Sequence, residues 1–148
     1  MNSAEQKLVV VWETLRVGLG VGAFLAGLDK FFNLLTAWSM YLSPLVLRIV
    51  PMSANVFMRG VGIVEMAVGI AILTRFTRLG AYVMAAWLLA ISLNLATTGN
   101  FWDLAVRDVE IALSAFALAR LTEWRATLPA EEAKSTPPGH LLNRHAKA

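Results

Sequence analysis

Three apolar stretches of this sequence carry ionisable side chains at helical spacing. In the first, Glu13, Arg16, Gly20, Gly27 and Lys30 fall near one stripe by steps of three, four or seven. In the second, Arg59, Gly62, Glu65 and Gly69 do the same, and in the last, Asp103, Arg107, Glu110 and Ser114. Each such charge is costly in an apolar setting and must face protein, water or a partner charge. Gathered together, these groups can serve one of three ends. They can form a structural ion-pair network that fixes which helix lies beside which. They can hold the polar head of a lipid-like molecule such as a quinone, or they can line a path for a proton or solute. Glycines beside the charges on two of the stripes let neighbouring backbones approach closely.

Depth sorts the charges into layers, because antiparallel helices place the end of one beside the start of the next. Asp29, Lys30, Arg59, Asn94, Asp103, Arg107 and Asp108 occupy the outer half, and Glu65 and Glu110 lie near the midplane. The expected pairs are Arg107 with Glu65, Arg59 with Asp108 or Glu110, and Glu13 with Arg16 locally at i,i+3. The candidate ligand or ion-pair cluster is therefore Glu65, Arg59, Asn94, Arg107, Asp108, Glu110, Asp29 and Lys30. No catalytic residue is assigned.

The elements that position this cluster follow from composition. Hydrophobic residues make up 57% of the 148 and charged residues only 16%, against about 25% charged in soluble domains. The mean hydropathy is +0.61, and a water-facing surface cannot be tiled from such a mixture. The pI near 9.7 reflects a net charge of only +3, with no basic stripe interleaved with aromatics, so nucleic-acid binding is excluded. The absence of cysteine removes disulfides, thiol redox chemistry, iron-sulfur clusters and Cys-ligated zinc. The two histidines, His140 and His145, lie in a polar tail, so no internal haem or metal site is expected.

A spanning helix needs about 20 mostly apolar residues. Residues 79–98 supply that without one charge, and weaker spans are expected at 8–30, 55–74 and 102–121. The last would insert poorly alone. Its Arg107, Asp108 and Glu110 cost up to about 2.5 to 3.5 kcal/mol each near a helix centre, and each strong apolar residue returns only about 0.3 to 0.6. The reading is an all-α integral membrane four-helix bundle over residues 1–122, followed by a disordered polar cytoplasmic tail, 123–148. Glu5, Glu13 and Arg16 flank the first apolar run wrongly for a cleaved secretory signal.

The connection over residues 34–50 is too long for a tight hairpin and too apolar for a solvated loop. Leu34, Leu35, Trp38, Tyr41, Leu42, Leu45 and Ile49 recur at helical spacing, with Thr36, Ser39 and Ser43 on another face. This predicts an amphipathic interfacial segment, bent at Pro44 and stopped near Pro51, lying over the bundle mouth as a lid or a passive float. Lys7, Arg75, Arg78, Arg120, Arg125, Lys134, Arg144 and Lys147 gather on one side, which places both termini in the cytoplasm. Trp12 and Trp124 then mark the inner interface and Trp38, Tyr41 and Trp102 the outer one. Trp87 falls mid-span as packing. Gly18 and Gly22 form a G-x-x-x-G that serves either an internal contact or a homo-oligomer face.

These residues resemble the DoxX family of small four-helix bacterial and archaeal membrane proteins over about residues 16–121. Arg16, Phe24, Gly27 and Lys30 are similar to its R...F..G..K pattern, Glu65, Gly69 and Thr77-Arg78 to its E...G and T-R signature. Arg107-Asp108 followed by Leu113, Leu118 and Ala119 is similar to its R-D and leucine-alanine run. After Leu73, Thr74-Arg75-Phe76 stands where the family often has a glycine. The resemblance implies a bacterial inner-membrane protein linked to redox complexes. The leading expectation is a non-catalytic subunit or anchor of such a complex, with an oxidoreductase as partner. The alternative is a quinone-binding oxidoreductase component, with Glu65 or Glu110 as proton acceptor, and a small proton-coupled transporter ranks third. Four short helices without an internal repeat leave little room for alternating access.

Overall fold

The computed structural model describes residues 3–135, with side chains described through residue 127. His140, His145 and the last part of the expected tail lie outside the described residues. Among the described residues every regular element is helical: α1 (Ser3–Phe32), a 3-10 turn (Trp38–Tyr41), α2 (Pro44–Ile49), α3 (Ala54–Leu73), α4 (Thr77–Thr98) and α5 (Trp102–Ser135). Three of these, α1, α3 and α4, are long and apolar enough to cross a membrane. In α5, Asp103, Arg107, Asp108 and Glu110 crowd the first part of the helix. The helix does not end near Leu121. It continues to Ser135, so the stretch 123–135, expected as disordered tail, is helical.

The four long helices pack as two pairs, α1 on α3 and α4 on α5. The pairs meet along α3 and α4 and, more thinly, along α1 and α5. Glycine sets the first pairing. A Cβ on Gly27 would stand 2.5 Å from the Gly62 carbonyl oxygen, and one on Gly69 would stand 2.6 Å from that of Gly20. Seven residues separate the two glycines on each helix, so both contacts belong to one antiparallel register. On the other pair alanine does the same: Ala81, Ala85, Ala105, Ala112, Ala115 and Ala119 are all buried.

Large apolar side chains point the other way. Val10, Val17, Leu25, Val56, Ile63, Leu93, Val106 and Leu113 are exposed. Small residues at the closest helix contacts and so many large apolar side chains outside suit helices packed in lipid.

The end where α1 begins is closed by Trp12, Val68, Ile72, Met84 and Leu118, which form the tightest part of the core. Trp12 Nε1 donates to Thr122 Oγ1 at 2.8 Å, tying α1 to α5. The expected local pair of Arg16 with Glu13 is present at 3.9 Å, but the guanidinium is committed elsewhere. It donates to the carbonyl oxygens of Ile72 at 3.0 Å and Leu73 at 2.5 Å, satisfying the orphan acceptors at the end of α3.

The connection between α1 and α3 is not one helix bent at Pro44. Pro44 opens α2, where its missing N–H has no partner to lose, and Ser43 caps the helix by accepting from Leu45 N. The sequence pattern puts Ser43 on a face apart from the apolar residues, and that face is not solvated at Ser43: the residue is fully buried, because its neighbours are polar groups of α4.

Candidate functional site

Between the two helix pairs, away from the closed end, lies a cavity of about 870 Å³. It exists because the pairs touch firmly only near the closed end and because Gly18, Gly22 and Ala26 offer no side-chain bulk to fill the gap. Its wall is mainly apolar: Leu19, Val61, Val68, Met84, Leu88 and Ile91 among others. Lys30, Glu65, Asn94, Arg107 and Asp108 reach it together with Trp38, Tyr41 and Trp87.

The polar end is built around Lys30. Its Nζ donates to Glu65 Oε2 at 2.5 Å, and the two side chains are only 4% and 12% exposed. The ammonium also lies 3.8 Å above the Trp38 ring, which replaces part of its hydration by a cation-π contact. Asp29, one residue earlier, faces the other way and accepts from Trp38 Nε1 at 2.7 Å and from Leu34 N at 3.0 Å. Asp29 thus folds the chain back just after α1, with Asn33 at φ 53° in the turn, and delivers Trp38 onto Lys30.

The opposite anchor is Asn94 on α4. It accepts from Ser43 N at 3.0 Å and donates to Tyr41 O at 2.8 Å, while Thr97 Oγ1 donates to Ser43 Oγ at 3.0 Å. Tyr41 also meets Phe101 edge-on at 4.9 Å between ring centroids. The segment from Trp38 to Val46 is therefore a strap fastened to α1 on one side of the cleft and to α4 on the other. Trp38, Tyr41, Leu42 and Val46 form its inner face over the cavity. Replacing Asn94 by alanine is expected to speed amide hydrogen exchange over residues 41–47 while the long helices keep their protection. The lost bonds are worth about 1 to 3 kcal/mol. Unchanged exchange there would mean that Asn94 does not hold the strap.

Across the cavity, Asp108 on α5 is 5% exposed and lies within electrostatic reach of Lys30 and Glu65. Its partner is its own neighbour: Arg107 Nη2 donates to Asp108 Oδ1 at 3.1 Å, with the arginine side chain 57% exposed. The Trp87 indole N–H is buried beside Glu65 and, among the described residues, reaches no acceptor with hydrogen-bond geometry.

Five of the eight candidate residues line the cavity, and Asp29 supports its roof. The expected pairs of Arg107 with Glu65 and of Arg59 with Asp108 or Glu110 do not form. Glu65 is taken by Lys30, because the Gly27–Gly62 approach brings those two helices closest. Arg59 and Glu110 are exposed on the outer faces of α3 and α5. Asp103 and Glu110 turn outward because the alanine stripe of α5 must meet α4, Arg107 lies half-exposed at the cavity's edge, and Asp108, the next residue, turns in. Trp87 reads from the sequence as packing, since no charge in its span marks the face it occupies.

Over the described residues, fold and site together define an all-helical chain with three helices apolar enough for a membrane and a roofed cavity that is apolar at one end and ionic at the other. Comparison with protein-family models, with curated proteins and with solved structures gave no match.

Proposed function

We propose that this chain is a DoxX-like integral membrane protein of the bacterial inner membrane, with α1, α3, α4 and α5 crossing as a four-helix bundle and both termini cytoplasmic. In this reading it is a membrane subunit of a redox complex whose oxidoreductase is a partner, and its cavity holds a lipid-soluble ligand of the quinone class. The observation that carries the reading is the cavity. Its volume of about 870 Å³ falls among those of small-molecule sites, about 300–1,000 Å³, and its few polar groups converge at one end.

The residues fit such a ligand by their chemistry. The apolar walls from α1, α3 and α4 would receive a hydrocarbon tail. Lys30 and the Trp87 N–H would donate to head-group oxygens, and Glu65, held by Lys30, would accept or return a proton there. The strap excludes water from that end. A bound quinone supplies the electron-carrying chemistry, and this chain supplies the place and the proton. Glu110 has no part in the site, since it lies on the outside of α5.

The test is affinity purification of the tagged full chain from its host's membranes in mild detergent, with mass spectrometry of retained proteins and lipids. The expected result is a stoichiometric oxidoreductase together with a quinone. A chain recovered with neither, although folded, would contradict the reading.

A further inference from the structure

The outward charges of α5 pose a problem that the cavity does not solve. Asp103 and Glu110 are exposed and, among the described residues, neither side chain has a hydrogen-bond or ion-pair partner. Glu110 stands eight residues into its helix, about 12 Å below its start at 1.5 Å per residue, among exposed Val106, Val109 and Leu113. In a chain that crosses the membrane these are two carboxylates facing lipid, the intervening Arg107 being committed to Asp108 at 3.1 Å, and they call for a cation on another molecule.

The chain itself carries that cation. On α3, Arg59 is exposed and without a partner among the described residues. It stands five residues below the start of its helix, level with Arg107, between the heights of Asp103 and Glu110. Beside it, Gly60 is exposed with nothing within 4 Å of a Cβ built there. Val56, Arg59, Gly60 and Ile63 follow the i, i+3, i+4, i+7 pattern of one face, with a glycine that permits close backbone approach. α3 and α5 both run away from the strap, so in two copies sharing one membrane orientation these faces meet as parallel helices with the charges in register. Two α5 faces would instead set acid against acid.

We propose that a second copy of this chain docks its α5 stripe on the α3 face of the first, pairing Glu110, with Asp103, against Arg59. The contact is heterologous: each copy keeps a free α3 face or a free α5 face unless a ring closes. The inference rests on the reading that the chain spans a membrane.

The experiment uses the cysteine-free full chain in its host's membranes. Two differently tagged copies are co-expressed, one with Gly60→Cys and the other with Val106→Cys, and oxidised. Alongside, Arg59→Glu, Glu110→Arg and the double exchange are compared by native mass spectrometry in mild detergent. The expected results are a disulfide between the two tags and an association constant lowered about tenfold by either single reversal, restored by the double exchange. Each variant's thermal unfolding is followed, and the cysteine pair carries the test if a reversal fails to fold. A chain absent from the membrane fraction would overturn the membrane reading itself. A membrane-embedded chain that is monomeric, that associates with no effect of either reversal, or that buries this stripe only against a different protein would overturn the proposal.

Discussion

Gly27→Leu is expected to leave no folded protein, and Gly27→Ala to lower stability by about 1 to 3 kcal/mol, the cost of overpacking a tight contact. The new Cβ would lie 2.5 Å from the Gly62 carbonyl oxygen and 2.9 Å from the Met66 nitrogen. Both are backbone atoms of a helix, so no side chain can swing away. The helices must separate, and with them go the register that places Lys30 beside Glu65 and the wall of the cavity. Gly18 supplies the control, because nothing lies within 4 Å of a Cβ there. Gly18→Ala should therefore unfold at nearly the wild-type temperature. Thermal unfolding in detergent of the three variants checks this, and equal losses at Gly18 and Gly27 would mean that the close approach does not hold the pair.

The second large effect concerns the buried ion pair. Lys30→Met or Glu65→Met alone should cost about 3 to 5 kcal/mol, because each leaves the other charge buried without its partner. The double variant should recover most of that loss, since two methionines of similar length fill the same space without a charge to desolvate. Chemical unfolding of the three variants reads the stabilities. The double variant also separates structure from function. If the pair serves only to hold α1 to α3, that variant should retain ligand and partner as the wild type does. If the pair binds the quinone head, as proposed, it should fold and lose the quinone.

The glycine-bearing faces of α1 and α3 can be read from the sequence, but not that they meet each other, and the reason is geometric. The glycines and charges of these two helices form one stripe on each, and those stripes face each other at Gly20, Gly27 and Lys30 against Gly62, Glu65 and Gly69, while Glu13 and Arg59 turn out. Layering by depth gives the height of each charge but not its direction around the helix, so depth alone pairs Arg107 with Glu65 although Lys30 is nearer. On α5 the charged stripe and the alanine stripe compete for the inward position. Close packing against α4 decides for alanine, which leaves Glu110 outside and brings Asp108 in. The strap shows in the sequence as an amphipathic segment, but its fastening at Asp29 and Asn94 depends on two side chains whose partners lie nine and more than fifty residues away along the chain. No local pattern records such contacts. The extension of α5 through residue 135 runs against a change in composition from Glu123 onward that reads as a tail.

Everything proposed for function depends on the cavity beneath the strap holding the head of a lipid-soluble molecule beside Lys30 and Glu65. Photo-crosslinking reads that contact itself, using a benzoquinone with a photoreactive head and a short alkyl tail added to the purified chain in lipid nanodiscs. Adducts are expected on peptides carrying Trp38, Tyr41 and Trp87, competed away by unlabelled quinone and absent in the Lys30→Met, Glu65→Met double variant. Adducts confined to outward residues such as Leu93 and Leu113, or unaffected by competitor, would contradict a quinone site in the cavity.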